Sequence, residues 1–123
     1  MIAADSSSLR RYFDSKLGVD VDRVARAIER DDLILPPVVV AETLSDPALP
    51  PLFEVMIKSL RVLELRAGYW IRSGELRANT LRESHKAKLA DVLIAQSCID
   101  HDIPLITNDG DFRHFVRAGL KLA

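Results

Sequence analysis

Short apolar runs alternate along the chain with longer segments in which apolar residues recur every three or four positions. The runs are "MIAA", "DDLILPP", "LRVLEL" and "IPLITND", and each is followed or closed by a charged residue or a proline. Short apolar runs bounded in this way are typical of buried strands. We therefore predict four strands, within residues 1–4, 31–37, 60–65 and 103–109.

The segments between these runs have helical periodicity. Leu9, Tyr12 and Phe13 share one face of a helix that Ser6 or Ser7 can cap. The same spacing predicts further helices at 21–28, 52–58, 66–74, 89–102 and 111–116. The segment "VVVAETL" stays open, because its β-branched residues favour a strand whereas its spacing also fits a helix.

Strands that alternate with helices predict an α/β fold, with a mostly parallel sheet covered by helices on both faces. The length of 123 residues corresponds to one domain, residues 1–123. In parallel sheets of this kind, ligands bind beyond the carboxyl ends of the strands. Residues that follow a predicted strand are therefore the first candidates for a functional site.

Composition narrows the class of protein. Apolar residues make up 48% of the chain, which is enough for one core. The single cysteine, Cys98, excludes an internal disulfide and is predicted to pack in that core. We find no apolar run long enough for a membrane span and no signal-peptide pattern at the start, so a cytoplasmic protein is expected.

The net charge of −1 conceals an uneven distribution. Residues 58–88 contain eight Lys or Arg and three Asp or Glu, whereas the segments on either side are acidic. A strongly basic chain would indicate nucleic-acid binding by charge alone. Because this chain is not basic overall, such a function has to rest on the local arrangement of residues.

Carboxylates occur where the ligand crevice of the predicted sheet should lie. Asp5 follows the first strand, Asp109 and Asp111 follow the last, Asp91 begins a long helix, and Glu42 lies after the second strand. Grouped carboxylates repel one another and raise each other's pKa unless a cation is present. Oxygen-only ligand sets suit Mg²⁺. We therefore predict an acidic metal site, with carboxylates close enough to enclose one cation.

Each acid taken alone also has a structural explanation. Asp5 can be a cap or turn acid, and Asp109-Gly110-Asp111 can be a turn. Asp111 can cap the following helix, and Asp91 can stabilise a helix N-terminus. The histidines His85, His101 and His114 lack zinc-like spacing and are expected at the surface, with His114 the one that could border the site. The functional hypothesis depends on the joint placement of the acids.

Four segments, "MIAADSSSL", "VVVAETL", "KLADVLIAQSC" and "PLITNDGDF", resemble in order and spacing the motifs of PIN-domain proteins. The likeness covers essentially the whole chain and is strongest to VapC-like toxin ribonucleases of type II toxin–antitoxin systems. It implies a three-layer α/β/α fold, a bound Mg²⁺ or Mn²⁺, and hydrolysis of RNA phosphodiester bonds. Asn108 departs from the arginine that many members have before the fourth acid, which leaves the substrate preference open.

The resemblance also assigns roles to residues. Asp5, Glu42, Asp91 and Asp109 match the four catalytic acids of the family, and Asp111 matches a further acid. Metal ligation is implied for Asp5, Asp91, Asp109 and Asp111. Ser7 and Thr107 match hydroxyl positions that support the site.

Substrate and partners follow from the same resemblance. The basic segment is expected to contact the RNA backbone through Arg72, Arg77, Arg82, Lys86 and Lys88, with Arg66 nearby. A VapB-like antitoxin is the implied protein partner, and a homodimer the implied assembly. Apolar residues of the predicted helix at 52–58 are candidates for the antitoxin groove, although they also fit the core: Leu52, Phe53, Met56 and Ile57.

Two other functions stay open from the sequence. A phosphoacceptor receiver domain is also α/β and holds Mg²⁺ with acids at strand ends, but its central aspartate and late lysine are not found in the expected form. A non-catalytic RNA-binding domain is the second alternative. Trp70 and Tyr69 could stack on a base, although packing in the core or at an interface explains them as well.

Overall fold

A computed structural model describes all residues, 1–123. Its strands are β1 (Ile2–Ala4), β2 (Leu33–Leu35), β3 (Arg61–Val62) and β4 (Leu105–Ile106). Its α-helices are α1 (Ser6–Phe13), α2 (Val19–Glu29), α3 (Pro37–Leu44), α4 (Pro51–Ser59), α5 (Tyr69–Arg82) and α6 (Leu89–His101). A 3₁₀ helix (Gly110–Ala118) follows β4. The predicted three-layer α/β/α architecture is confirmed.

All four strands are parallel, in the order β3-β2-β1-β4. Strand β1 lies between β2 and β4, so that Ala3 stands opposite both Ile34 and Leu105. The chain therefore leaves β1 and β4 at the same edge of the sheet. Asp5 directly follows β1 at that edge, and its backbone N–H donates to the carbonyl of Ile106, 3.1 Å away.

The core surrounds the central strand. Ala3 and Ala4 are fully buried, because helices cover both faces of the sheet at that point and leave room only for small side chains. Cys98 is also buried, as predicted, and burial raises the pKa of its thiol to about 12, which makes it a packing residue. No helix of the chain combines the length and the apolar character needed to cross a membrane.

Two predicted element boundaries are wrong. The cap of α1 is not Ser6 or Ser7 but Asp5, which confirms the structural explanation considered for that acid. Asp5 leaves β1 in an extended conformation, and its carboxylate accepts from the N–H of Ser8 at 2.9 Å. Helix α5 does not end near Gly74 but continues to Arg82, because its later turns pack against α6 and the 3₁₀ helix. Tertiary packing here outweighs the low helix propensity of glycine.

The structure also decides the ambiguous segment and the last two elements. "VVVAETL" is helical, because Pro36 and Pro37 stand at the cap and first position of α3, where a missing N–H carries no penalty. The predicted strand at 60–65 shortens to two residues at the exposed edge of the sheet. The predicted terminal helix is present as the 3₁₀ helix.

An ion pair joins the first two helices. Asp20 in the first turn of α2 is 6% exposed, and its Oδ2 accepts from Arg11 Nε and from Ser8 Oγ, both at 3.0 Å. Arg11 also donates to the carbonyl of Leu17 at 2.7 Å. These bonds fix α1, and with it the cap residue Asp5, against α2.

Replacing Asp20 by alanine is expected to lower the free energy of unfolding by about 2 kcal/mol, because it leaves the buried Ser8 hydroxyl and the Arg11 guanidinium without their acceptor. Chemical denaturation measures the change, and Asp22→Ala, in the same helical turn but exposed, is the matched control. Burial alone would raise the pKa of Asp20. The hydrogen bonds from Arg11 and Ser8, together with the charge of Arg11, outweigh that effect and lower the pKa. The difference from wild type should therefore hold at neutral pH and shrink as the pH falls below about 4. A difference independent of pH would contradict the ion pair.

Candidate acidic site

Asp5 is the most buried acid of the predicted site, with 3% of its surface exposed. Its carboxylate accepts from the Ser8 N–H at 2.9 Å, from Ser7 Oγ at 2.8 and 2.9 Å, and from Thr107 Oγ1 at 2.6 Å. Burial raises the pKa of Asp5, and the hydrogen bonds from Thr107, Ser8 and Ser7 oppose that rise. The carboxylate is thereby held in one orientation at the end of β1.

A chain of hydrogen bonds connects the ends of β1 and β4. Thr107 follows β4, and its hydroxyl both donates to Asp5 and accepts from the backbone N–H of Asp109 at 3.0 Å. Asp109 in turn caps the 3₁₀ helix by accepting from the N–H of Asp111 at 2.9 Å. The cap of that helix is thus Asp109, and not Asp111 as considered from the sequence.

Asp91 lies on a third segment, in the first turn of α6, and shares an electrostatic field with the other acids. Burial raises its pKa to about 6, and the negative charges of Asp109, Asp5 and Glu42 add to the rise, while Lys88 opposes it. Asp5 therefore acts on Asp91 in the folded chain, although 86 positions separate the two residues in the sequence. A cation among them would remove this repulsion.

Glu42 approaches the same edge of the sheet from α3. Its side chain is exposed, and Oε1 accepts from Ser6 Oγ at 2.6 Å. A cleft of about 280 Å³ opens beside this pair, and all of its lining residues are polar or charged: Ser6, Ser7, Arg10, Glu42 and Thr43. The sequence prediction missed Ser6 and Arg10, although a spacing of three and four residues places Arg10 on the same face of α1 as Ser7 and Ser6.

The donor set fits a hard divalent cation, but it does not form a complete cage. Every candidate ligand is a carboxylate or hydroxyl oxygen, and Asp91 carries negative charge that its neighbours do not balance. No three His, Cys, Asp or Glu side chains lie together in a group that could hold a metal ion. The expected tight enclosure by several acids is therefore not found. The arrangement suits Mg²⁺, which binds through one or two carboxylates and keeps several water ligands.

The basic residues predicted to contact RNA differ in their surroundings. Lys88 caps α6 one turn from Asp91 and lowers its pKa. Lys86 is exposed two residues earlier, and Arg77 Nε donates to the carbonyl of Ala87 between them at 2.9 Å. Lys88 therefore borders the acidic site, and Lys86 and Arg77 lie next to Lys88 at the start of α6.

The two other predicted RNA contacts are bound to neighbouring side chains. Arg72 makes two hydrogen bonds to the carboxylate of Asp100, at 2.7 and 3.0 Å, which join α5 to α6. Arg82 donates to the side chain of Asn79 at 2.7 Å. Of the two, Arg72 has the smaller capacity for a phosphate, because its guanidinium already matches a carboxylate.

Apolar residues proposed for partner contacts divide between core and surface. Ile57 is 1% exposed and belongs to the core, which excludes it from a surface groove. Leu52 is 74% exposed on the same helix, α4, while Phe53 and Met56 are half-buried. On α5, Trp70 is exposed and Tyr69 is buried.

The histidines do not join the acids. His85 and His114 stack on each other with ring centroids 4.1 Å apart. His101 Nδ1 accepts from Arg66 at 3.4 Å, and its Nε2 donates to the carbonyl of Glu64 at 2.7 Å. None of the three histidines belongs to a group of His, Cys, Asp or Glu side chains that could hold a metal ion. The site is therefore one of carboxylates, hydroxyls and lysines.

Comparison with known proteins gives one family and several similar structures. The sequence model of the family described as PIN domain matches residues 4–118. A search of curated protein sequences finds no match. Among solved structures, VapBC2 of Rickettsia felis bound to a promoter DNA fragment superposes with a TM-score of 0.76 at 18% identity, over 100% of this chain and 98% of that one. FitAcB of Neisseria gonorrhoeae gives 0.75 at 20% identity, over 99% and 96%. A FitAB complex with the IR36 DNA fragment gives 0.73 at 17% identity, over 100% and 94%.

Proposed function

Because this chain belongs to the PIN domain family, whose members are generally nucleases, we propose that it is a metal-dependent endoribonuclease. The proposed substrate is RNA and the proposed cofactor is Mg²⁺ or Mn²⁺. We also propose that the protein is the toxin of a toxin–antitoxin pair and acts in the cytoplasm. Asp5, Glu42, Asp91 and Asp109 are the proposed catalytic acids. Asp5, Asp91, Asp109 and Asp111 are the proposed metal ligands.

One observation carries the proposal. Acids from four separate segments lie near the carboxyl ends of the strands. Burial and the charges of the other three acids raise the pKa of Asp91, and Thr107 links Asp5 to the backbone N–H of Asp109. A fold gains no stability from grouping negative charges in this way. A function that requires a cation at this position would explain why the chain keeps these mutually repelling carboxylates together.

The bound metal would lower the pKa of a water molecule and offset the negative charge that develops on the phosphate. Asp91, with a pKa of about 6, is about nine-tenths ionised at pH 7 and available as a ligand. Asp5 is held in place by Ser7 and Thr107. Glu42 is exposed and bonded only to Ser6, so it is suited to accept the proton of the attacking water.

The proposed RNA path follows the cations that border the acids. Lys88, Lys86 and Arg77 lie beside the start of α6, and each can contact a backbone phosphate. Arg82 and Arg72 are proposed only for the outer part of the path because they also bind Asn79 and Asp100. Affinity for RNA should therefore fall steeply with salt.

A cleavage assay tests the activity. We expect the purified chain to cut a fluorescent single-stranded RNA when Mg²⁺ or Mn²⁺ is added, and to stop when a chelator is in excess. The same assay with DNA of equal sequence tests the preference for RNA. Binding of RNA without metal-dependent cleavage would favour a non-catalytic domain, and labelling by a small phosphodonor would favour a receiver domain.

Replacing Thr107 by valine, which keeps the shape but removes the hydroxyl, is expected to reduce cleavage by about 10–100-fold. Asp5 loses a hydrogen bond of 2.6 Å but keeps those from Ser7 and Ser8, and the Asp109 N–H loses its acceptor. Both acids are therefore held less firmly. Metal titration should show a weaker apparent affinity for Mg²⁺ in this variant. Thr107→Ser, which restores the hydroxyl, is the control and should recover most of the activity. A valine variant with wild-type metal affinity and rate would exclude a positioning role.

The partner proposals rest on exposed apolar residues. Leu52 and Val55 on α4 are 74% and 66% exposed, with Phe53 and Met56 partly exposed beside them, and we propose that a VapB-like antitoxin covers this face. Trp70 and Ile71 on α5 are 65% and 69% exposed, and we propose that they contribute to a homodimer. A short neighbouring gene whose product binds the chain and suppresses cleavage would support the antitoxin.

A further inference from the structure

A second cleft lies at the opposite edge of the sheet from the acids. Ile2, Asp32 and Pro104 line it, and they stand at the starts of three adjacent strands, β1, β2 and β4. Its volume is about 320 Å³. Asp5 and Thr107 follow the other ends of β1 and β4. The length of these strands therefore separates this cleft from the acidic site.

Three arginines from one face of α2 line the cleft. Arg23, Arg26 and Arg30 are spaced three and four residues apart, which places them side by side on the helix. Arg23 donates to the backbone carbonyl of Ala123 at 2.6 Å. The side chains of Arg26 and Arg30 make no hydrogen bond or ion pair within the chain, so both guanidinium groups are available to a ligand.

The one acidic side chain of the cleft, Asp32, is already paired with the amino group of Met1 at 3.0 Å. Ala123 also lines the cleft, and as the last residue of the sequence it brings a terminal carboxyl group, which Arg23 contacts. Arg26 and Arg30 have no carboxylate partner there. Arg26 and Arg30 lie in the last turn and at the end of α2, where a cation stabilises the negative end of the helix dipole. That effect does not explain Arg23 in the middle of the helix, nor a cavity between the helix and the strand ends.

The remaining walls of the cleft are apolar. Ile2, Ala27 and Pro104 provide its hydrophobic surface, and Ala27 is 4% exposed at the base of the arginine row. The cleft is near the lower end of the size range of small-ligand pockets, about 300–1,000 Å³. Guanidinium groups match phosphate oxygens in geometry and charge. An inorganic anion has no apolar surface to bury against this wall, whereas the flat face of a nucleotide base can pack against it.

We propose that this cleft binds a free mononucleotide. The phosphates contact Arg26 and Arg30, Arg23 closes one end of the cleft, and the base lies against Ile2 and Pro104. This site goes beyond the proposed nuclease function, because it uses none of the acids and lies at the other edge of the sheet. A nucleotide bound there would respond to the nucleotide supply of the cell and not to the substrate RNA.

Isothermal titration calorimetry with adenosine 5′-diphosphate tests the proposal, in the presence of a chelator so that no metal can hold the phosphates at the acidic site. We expect binding by the wild-type chain and a loss of affinity of at least about tenfold in Arg26→Gln/Arg30→Gln. Arg113→Gln/Arg117→Gln, which removes the same charge from exposed positions of the 3₁₀ helix, should change affinity by less than about threefold. Adenosine alone and pyrophosphate alone should each bind more weakly than the diphosphate.

A second measurement does not depend on the variants. In wild-type protein, the diphosphate should shift the methyl NMR signals of Ile2 and Ala27, and leave that of Val39, which is buried in α3, unchanged. No binding by the wild-type chain, pyrophosphate binding as tight as the diphosphate, or equal losses in the two double variants would each overturn the proposal. Failure of the cleavage assay would not affect it, so the two proposals can fail separately.

Discussion

Replacing Asp91 by asparagine is expected to abolish metal-dependent RNA cleavage and to raise the melting temperature of the metal-free chain. Activity should fall on the order of a thousandfold, beyond the 10–100-fold typical of residues that only support a metal ligand. Stability should rise by about 1 kcal/mol at neutral pH, because the substitution removes a charge that burial disfavours and that Asp109, Asp5 and Glu42 repel. This value is well below the full pKa shift, since solvent screens a partly exposed carboxylate.

The pH dependence identifies the cause. The pKa of Asp91 is about 6 in the folded chain, above its ordinary value of 3.8, so its protonated form is favoured in the folded state. The favourable contribution of protonated Asp91 to the free energy of unfolding is fully present below about pH 4, and it is lost as the pH rises through 6. The difference in melting temperature between variant and wild type should therefore grow from pH 4 to pH 6 and then stay constant.

Magnesium should reverse the comparison. Added Mg²⁺ is expected to raise the melting temperature of wild type but to have little effect on Asp91→Asn, because the variant has lost a ligand. Asp102→Asn, the same substitution at the exposed end of the same helix, is the control and should leave both activity and melting temperature nearly unchanged. An Asp91→Asn variant that cleaves RNA at the wild-type rate would remove the basis of the proposed function.

Replacing Asp5 by alanine is expected to cause the largest loss of stability of any substitution in the site. It removes the cap of α1, which is typically worth about 1 kcal/mol. It also leaves the buried Ser8 N–H and the Thr107 hydroxyl without an acceptor, at about 1–3 kcal/mol for each group that finds no other partner. A total of about 3 kcal/mol corresponds to a melting temperature lower by roughly 12 °C.

Two further variants separate folding from activity. Asp5→Asn retains an oxygen that can cap α1, so it should fold with a smaller loss of stability and still lack cleavage activity. Asp14→Ala changes an exposed aspartate at the other end of α1 and should alter the melting temperature by only a few degrees. Differential scanning calorimetry measures all three. Equal effects of Asp5→Ala and Asp14→Ala would contradict the role of Asp5 as the centre of the hydrogen-bond network.

The candidate site was predictable from the sequence as far as the acids are concerned. Asp5 and Asp109 follow apolar runs that are strands in the structure, and parallel strands place their carboxyl ends at one edge. The hydrogen bonds that hold these acids in place were harder to predict. Thr107 was assigned a supporting role only by family resemblance, whereas its bond to Asp5 joins residues 102 positions apart. Ser6 beside Glu42 was missed for the same reason, since the pair is 36 positions apart.

The four strands, most of the helices and the buried position of Cys98 were predictable from the sequence, because burial imposes a regular spacing of apolar residues along each element. The acids that follow strands were predictable for the same reason. Contacts in the folded chain were needed to show that "VVVAETL" is helical, that α5 continues past Gly74, that Arg72 is bound to Asp100, and that Ile57 is in the core while Leu52 is exposed. The tertiary structure alone placed three arginines of α2 beside the starts of three strands. These features depend on contacts between distant segments, and the energies of such contacts are set by distance in space and not by spacing along the chain.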